Sequence, residues 1–205
     1  MNDIILNRAS LEAAGLPAYE GIRLAEITLV TSQQLADEAL AALLANEAIG
    51  FDTESKPTFL KGEHSTGPHL IQLATESRAY LFQVPRTHSA TVLKEILESP
   101  RVLKVGFGLG NDRSALKSRL DIELKNVIDL GEVLRSKGHK GTVGAKVAVA
   151  HFFGKTMQKS KKIGTSNWAN AELSERQLLY AADDAQVALR IYSAWRQTEK
   201  WADTN

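Results

Sequence analysis

The stretch Ile49-Gly50-Phe51-Asp52-Thr53-Glu54 is an apolar run that ends in two carboxylates one residue apart. We interpret it as the central strand of the fold. Residues two apart on a strand point to the same face, so Asp52 and Glu54 would stand side by side with Cα atoms about 6.6 Å apart. Two adjacent anions repel each other, and a divalent cation would compensate both. The alternative is a strand end whose acids merely face water.

Composition limits the classes of protein to consider. A chain of 205 residues with a net charge of +1 fits one domain, in which any site for a polyanion must be a local patch. The absence of cysteine excludes disulfides, thiolate zinc sites and cysteine nucleophiles, and it fits a reducing compartment. The N-terminus lacks a basic segment, and no apolar run has the length that a bilayer requires. We therefore expect a cytoplasmic protein that does not interact with membranes.

Hydrophobic patterns around the opening stretch predict the order of the elements. Residues 1–26 show no sustained period and predict an irregular leader, so the domain would span residues 27–205. Further patterns predict strands and helices, with strands at 27–30, 49–54, 70–74, 79–84 and 102–107, helices at 31–44, 89–97, 113–120, 129–134 and 143–153, and a long helix from the capping box at Ser174 onward. A basic, glycine-bearing turn is predicted at 137–141. Hairpins followed by strand–helix–strand order indicate an α/β fold with a mixed sheet and helices packed on it.

A glycine-rich segment, residues 106–112, follows the last predicted strand. It is not a dinucleotide loop, because the third glycine of such a loop is replaced by Asn111 and no Lys-Ser or Lys-Thr pair follows. The glycines permit a tight turn, and Asn111-Asp112 would open the next helix. Taken alone, Asp112 is best explained as a helix cap.

The long C-terminal helix carries Tyr180 and Asp184 four residues apart, which places them on one face. Asp183 is the nearest competitor, but it lies about 100° away around the helix axis and loses this alignment. Without other evidence, Tyr180 is a half-buried aromatic residue and Asp184 a surface acid.

A lysine-rich segment precedes that helix, with lysines at 155, 159, 161 and 162 and an indole at Trp168. Lysines followed by an indole suit a single nucleic-acid strand, because the strand needs phosphate neutralisation and a stacking surface. The alternatives are a solvated loop for the lysines and a core position for Trp168. The loop at 55–68 stands beside the two strand carboxylates, where loops often carry substrate contacts.

These separate motifs together resemble a known family. Phe51-Asp52-Thr53-Glu54, the segment 106–112 and the segment from Tyr180 to Asp184 are similar to the three exonuclease motifs of the DEDD superfamily, in its tyrosine-bearing DEDDy branch. That branch includes ribonuclease D and the exonuclease domain of the Werner syndrome helicase. The resemblance covers about residues 27–195. It implies a ribonuclease-H-like α/β fold with a five-stranded mixed sheet flanked by helices.

The resemblance also implies a metal-dependent site. Asp52, Glu54, Asp112 and Asp184 would hold two Mg²⁺ or Mn²⁺ ions, hard cations that prefer oxygen ligands. Tyr180, whose unperturbed pKa near ~10 makes it a poor base at neutral pH, would orient the attacking water together with Glu54. The expected substrate-binding residues are Thr53, Gln72, Phe107, Lys159, Lys161, Lys162 and Trp168.

The function implied is 3′-5′ exonuclease activity on single-stranded nucleic acid or on the 3′ ends of DNA or RNA, with release of nucleoside 5′-monophosphates. The alternative is a non-catalytic nucleic-acid-binding module on the same fold, because a fold does not guarantee a function. The sequence leaves open the choice between DNA and RNA and the oligomeric state.

Overall fold

The computed structural model describes residues 15–58, 60, 62–84, 89–135 and 141–204, with residues 199–204 described by their backbone alone. The first fourteen residues of the predicted leader and most of the basic turn predicted at 137–141 lie outside these ranges. Among the described residues, none of the helices combines the length and the apolar character needed to cross a bilayer.

One mixed sheet forms the centre of the fold. Its strands are Ile27–Leu29 (β1), Ala48–Glu54 (β2), Leu70–Ala74 (β3), Ala79–Gln83 (β4), Leu103–Gly106 (β5) and Val127–Asp129 (β6). They lie in the order β1-β4-β3-β2-β5-β6, with an antiparallel β2-β3-β4 meander and parallel pairs elsewhere. The predicted mixed sheet is confirmed. It has six strands rather than five, because residues just before the helix predicted at 129–134 pair in parallel with β5.

Seven α-helices surround the sheet in the part of the chain that the structure describes. They are Gln33–Leu44 (α1), Ala90–Glu98 (α2), Gly110–Leu120 (α3), Leu130–Val133 (α4), Ala145–Phe153 (α5), Lys161–Gly164 (α6) and Glu175–Thr204 (α7). The capping box that predicted the start of α7 is present, since Ser174 N donates to Gln177 Oε1 (3.0 Å) and Gln177 N donates to Ser174 Oγ (3.4 Å). Helix α3 begins at Gly110, which places Asp112 within its first turn rather than at its cap.

The alternation of side chains along β2 separates the core into two layers. Ile49 and Phe51 are wholly buried in the cluster that also contains apolar residues of α1 and α2. Gly50, Asp52 and Glu54 belong to the other face, where α7 crosses β2, β3, β4 and β5. The sheet therefore places the acidic end of β2 directly beside α7.

Gly50 allows α7 to approach β2 closely. A Cβ atom on Gly50 would lie 1.9 Å from the carbonyl oxygen of Ala185, which is a clash with backbone. We expect Gly50→Ala to lower stability by about 1–3 kcal/mol, because α7 must move away from the strand. The corresponding fall in Tm is about 2–4 °C for each kcal/mol in a protein of this size. Gly110→Ala is the matched control, since its added methyl group would meet nothing within 4 Å. Equal Tm values for the two variants in thermal denaturation would contradict the close approach.

The segment before β1 packs on the domain. Tyr19 N donates to Thr156 O (3.0 Å), and Thr156 N donates to Pro17 O (2.8 Å). Further on, Ile22 is buried, and its N–H donates to Asp183 Oδ1 (2.7 Å). The irregular backbone of residues 17–22 thus covers one side of α7, and a domain boundary at residue 27 stays a prediction.

Candidate active site

Three carboxylates meet where β2 ends against α7. One carboxylate oxygen from each of Asp52, Glu54 and Asp184 lies within 4.8 Å of the others. The first two are partly buried, and Asp184 is only 6% exposed. Strand alternation presents Asp52 and Glu54 on the face that α7 covers, and the helix contributes the third acid. Three acids at such distances form a cluster of oxygen ligands suited to a hard divalent cation.

Burial and mutual repulsion favour the protonated forms of these carboxyl groups. The pKa of Glu54 is raised to about 9, chiefly by burial and then by the charges of Asp52 and Asp184. Burial and the neighbouring acids also raise the pKa of Asp52 well above its ordinary value. Burial raises the pKa of Asp184 to about 6, against the opposing effect of Lys159. A divalent cation would remove the repulsion, so the residues present fit a metal ion.

These shifts predict a pH dependence of the metal-free protein. The folded protein holds a proton on Glu54 between pH 4.5 and about 9, whereas the unfolded chain releases it. Stability from this group is therefore complete below pH 4.5 and is lost as pH rises through about 9. We expect Glu54→Gln to raise the Tm of the metal-free protein at pH 8 by about 2–4 °C, which corresponds to about 1 kcal/mol. Thermal denaturation in EDTA between pH 5 and 9 would show that the Tm difference between Glu54→Gln and the wild type shrinks towards pH 5. A Tm difference that does not change with pH would contradict the raised pKa of Glu54.

Asp112 lies beside the cluster but outside the group of three oxygens. It accepts a hydrogen bond from Thr53 Oγ1, and burial raises its pKa. Its charge contributes to the raised pKa of Asp52, so the two carboxylates are electrostatic neighbours. The structure therefore brings the predicted fourth ligand to the edge of the site. It also engages the hydroxyl of Thr53, a residue predicted to bind substrate.

Asp129 holds the turn that carries Asp112. The sequence pattern predicted Asp129 only as the first residue of a helix. Its carboxylate accepts hydrogen bonds from Gly108 N (3.0 Å), Leu109 N (2.8 Å) and Gly131 N (2.9 Å). Gly108 has a φ of +71°, a conformation that favours glycine. These bonds fix the turn between β5 and α3, and so the position from which Asp112 projects. The sequence signal that could have indicated this role is an aspartate at the N-cap position of a short helix.

Tyr180 stands next to the carboxylates on α7. Its ring packs against Trp168, with centroids 6.0 Å apart, and a Cβ atom on Gly164 would lie 2.7 Å from its hydroxyl oxygen. Burial raises the pKa of Tyr180 above its ordinary value of 10, and the charges of Asp184 and Glu54 raise it further. The hydroxyl therefore keeps its proton at neutral pH and is able to donate a hydrogen bond.

Two residues predicted to bind substrate are buried. Trp168 has 0% exposure and donates from Nε1 to Gly164 O (3.2 Å), so no face of the indole is open to a base. This burial favours the core interpretation of Trp168, and its assignment to substrate binding stays a prediction. Gln72 also has 0% exposure and sits opposite Asp52 on β3, so it too is closed to substrate. Neither amide atom of Gln72 has a hydrogen-bond partner among the described residues. Phe107 is partly buried, which leaves its predicted role open.

The lysine-rich segment divides into two parts. Lys161 and Lys162 lie exposed on α6, as a surface that meets phosphates would require. Lys159 instead enters the site, where its Nζ lies 2.7 Å from Asp184 Oδ1 and 5.6 Å from the centroid of the Tyr180 ring. The sequence pattern does not separate Lys159 from Lys161 and Lys162, because the directions of the three side chains depend on how α6 packs on α7.

The loop after β2 is held beside the site by His69. Lys56 N donates to His69 Nδ1 (3.2 Å), and Thr66 Oγ1 lies 3.1 Å from His69 Nε2. His69 N in turn donates to Glu54 O (2.8 Å), so the loop closes back on the strand that carries the carboxylates. This position agrees with the predicted place of substrate contacts, which stay a prediction.

Comparison with known proteins identifies the family. A family profile described as 3′-5′ exonuclease matches residues 27–198. The mouse bifunctional 3′-5′ exonuclease/ATP-dependent helicase WRN is 33% identical over 163 residues, which make up 77% of this chain. The chain spans only 11% of that protein's length.

Solved structures show the same fold. The EXO domain of Aedes aegypti Nibbler superposes with a TM-score of 0.69 at 25% identity, covering 86% of this chain and 90% of that one. Escherichia coli RNase D gives a TM-score of 0.71 at 24% identity, covering 85% of this chain and 45% of that one. The predicted ribonuclease-H-like α/β fold is confirmed. With the profile match over residues 27–198, the chain belongs to the 3′-5′ exonuclease family.

Proposed function

We propose that this protein is a metal-dependent 3′-5′ exonuclease of the DEDDy type. It hydrolyses phosphodiester bonds from the 3′ end of DNA or RNA and releases nucleoside 5′-monophosphates. The observation that carries the proposal is the meeting of Asp52, Glu54 and Asp184 within 4.8 Å at the end of β2, in a chain of this family. A residue that orients water, Tyr180, stands beside them.

The proposed ligands divide between two ions. Asp52, Glu54 and Asp184 would hold the first Mg²⁺ or Mn²⁺ ion, and Asp112 would serve the second together with Asp52. When bound, the two ions lower the pKa of the attacking water and stabilise the charge that develops on the leaving 3′ oxygen. The raised pKa values of the carboxyl groups support this assignment, because a buried acidic cluster is most favourable when cations compensate it.

The chain's own side chains position the nucleophile. The Tyr180 hydroxyl, which keeps its proton because its pKa is raised, donates a hydrogen bond that fixes one lone pair of the attacking water. The carboxylate of Glu54 would accept a hydrogen bond from that water, so that the water is oriented with a lone pair towards phosphorus. Water held in this orientation needs little reorganisation in the transition state.

The exposed lysines of α6 are proposed to bind the substrate strand. Replacement of both Lys161 and Lys162 by alanine is expected to raise KM, with kcat near the wild-type value, because uniform binding is lost. The salt slope of binding to a single strand should fall by about 0.7 for each phosphate contact removed. The matched control is Lys94→Ala with Lys117→Ala, which removes two exposed lysines that pair with Asp121. If both double variants behave like the wild type, α6 is only a solvated surface.

The direct test of the function is a digestion assay. Matched 5′-labelled single-stranded DNA and RNA oligonucleotides are incubated with the protein and Mg²⁺ or Mn²⁺. We expect a ladder of 3′-shortened products that EDTA abolishes, and the relative rates decide between DNA and RNA. No ladder with either metal would refute the proposal, and binding without cleavage would indicate a non-catalytic nucleic-acid-binding module.

A cytoplasmic location and a leader at residues 1–26 remain further parts of the proposal.

A further inference from the structure

Lys159 supplies a positive charge to the acidic cluster. Its Nζ lies 2.7 Å from Asp184 Oδ1, and the two side chains are only 28% and 4% exposed. Its charge lowers the pKa of Asp184 and also opposes the raised pKa values of Asp52 and Glu54. No hydrogen bond from another described residue reaches Asp184 Oδ1. The ammonium group of Lys159 therefore stands where a cation is needed.

The segment that carries Lys159 rests on the site at a second point. Ser160 caps α6 by accepting a hydrogen bond from Ile163 N (3.4 Å). At the other end of this helix, Gly164 packs against the Tyr180 hydroxyl so closely that a Cβ atom would clash. The backbone of residues 160–164 is thus fixed against α7, whereas Lys159 precedes this helix and carries its charge on a four-carbon stem with several rotatable bonds. This arrangement lets the ammonium group move without moving the helix.

A metal ion and this ammonium group would share the carboxylate of Asp184. A Mg²⁺ ion needs a ligand oxygen at about 2.0–2.1 Å and demands near-ideal octahedral geometry. An ammonium group 2.7 Å from Asp184 Oδ1 would add strong repulsion between cations at close distance, whichever oxygen of this carboxylate bound the metal ion. Repulsion between the two cations therefore favours departure of Lys159 when a metal ion binds at Asp184.

We propose that Lys159 is an exchangeable cation of the active site, which neutralises the carboxylates before metal binds and pairs with a substrate phosphate afterwards. The exchange at Asp184 rests on the ion pair in the structure, and the phosphate contact rests on the proposed exonuclease function. The released side chain remains beside Tyr180, within the site where the scissile phosphate must lie. Lys159 then acts on the substrate as a phosphate-binding residue rather than as a surface lysine.

The first test follows the lysine itself. Protein labelled with ¹³C at lysine Cε is titrated with Mg²⁺, and the Lys159 signal is assigned by its absence in Lys159→Met. We expect this signal to shift on Mg²⁺ binding, while the signals of Lys161 and Lys162 stay in place. A Lys159 signal unchanged at Mg²⁺ saturation would overturn the exchange.

The second test measures metal affinity by calorimetry at pH 8. Lys159→Met removes the competing cation, and Lys159→Arg replaces it with one that pairs with carboxylates through two hydrogen bonds. We expect the Kd for Mn²⁺ to increase from the Met variant to the wild type to the Arg variant, by about threefold to tenfold at each step. Lys94→Met removes an exposed lysine on another helix; it is the control and should bind Mn²⁺ like the wild type. Equal affinities across the Lys159 variants, or the reverse order, would refute competition.

The third test concerns the phosphate. Thymidine 5′-monophosphate serves as the probe in the presence of saturating Mg²⁺, and its Kd should rise about tenfold in Lys159→Met but not in Lys94→Met, which removes an exposed lysine on another helix. An unchanged Kd would refute the phosphate contact and leave the exchange at Asp184 standing. Neither of the first two tests requires cleavage. If Lys159 moves with Mg²⁺ and no oligonucleotide is shortened, the exonuclease proposal fails and the exchange does not.

Discussion

Asp184→Asn is expected to lower kcat/KM for removal of 3′ nucleotides by about 10³-fold or more. The amide removes one negative charge from the group of three carboxylates whose oxygens lie within 4.8 Å, and it leaves Lys159 without its partner. Loss of a charged ligand disturbs the cation on which the proposed chemistry depends, and a factor of 10³ corresponds to about 4 kcal/mol of transition-state stabilisation. Steady-state kinetics on a labelled oligonucleotide measure the effect. Circular dichroism checks that the variant is folded.

Asp183→Asn provides the matched control for this experiment. Asp183 is the adjacent acid on the same helix, but its carboxylate accepts a hydrogen bond from Ile22 N (2.7 Å) on the N-terminal segment. An asparagine side-chain oxygen can accept the same bond. We expect kcat/KM to stay within about twofold of the wild type, since the nucleophile and the phosphate are bound elsewhere. Similar losses in both variants would show that the helix, rather than the Asp184 carboxylate, was disturbed.

Tyr180→Phe is expected to lower kcat by about 10²-fold with little change in KM. The substitution keeps the ring that packs against Trp168 and removes only the hydroxyl, which is proposed to orient water in the transition state. Because the pKa of Tyr180 is raised above 10, the wild-type kcat should show no loss from tyrosine ionisation up to pH 10. A pH–rate profile of wild type and variant tests both statements.

A second tyrosine on α7 controls for the loss of a hydroxyl group. Tyr192 is partly buried in the cluster around Val187 and Ile191, away from the carboxylates. Tyr192→Phe should leave kcat and KM unchanged. If Tyr180→Phe proves equally active, the hydroxyl does not orient the nucleophile, and Glu54 must do so without it.

Local patterns were enough to predict the elements that carry the site. Strand alternation placed Asp52 and Glu54 on one face of β2, and the spacing of Tyr180 and Asp184 placed both on one face of α7. The capping box at Ser174 also predicted where α7 begins, because such a box involves only residues that are close in sequence. Each of these features depends on a few consecutive residues and on one known helical or strand period.

Features that depend on contacts between distant segments escaped prediction. The strand Val127–Asp129 has three residues, too few to show a period, and only its pairing with β5 defines it. Lys159 lies in a segment of like charges, and its inward direction follows from the packing of α6 on α7. Trp168 is polar at one atom and apolar elsewhere, so its place in the core depends on what surrounds it. Tertiary packing thus decides which charged and aromatic side chains enter the site.

The close approach of Gly50 to Ala185 also has a consequence for the order of folding. It joins β2 to a helix at the far end of the chain, and contacts so distant in sequence form late because a long loop must close first. The β2-β3-β4 meander is local and can form while Asp52 and Glu54 are still hydrated as ordinary acids. Repulsion among the carboxylates then opposes only the docking of α7. Metal ions would bind only after α7 has docked on the sheet. They are therefore expected to slow unfolding while leaving the folding rate almost unchanged.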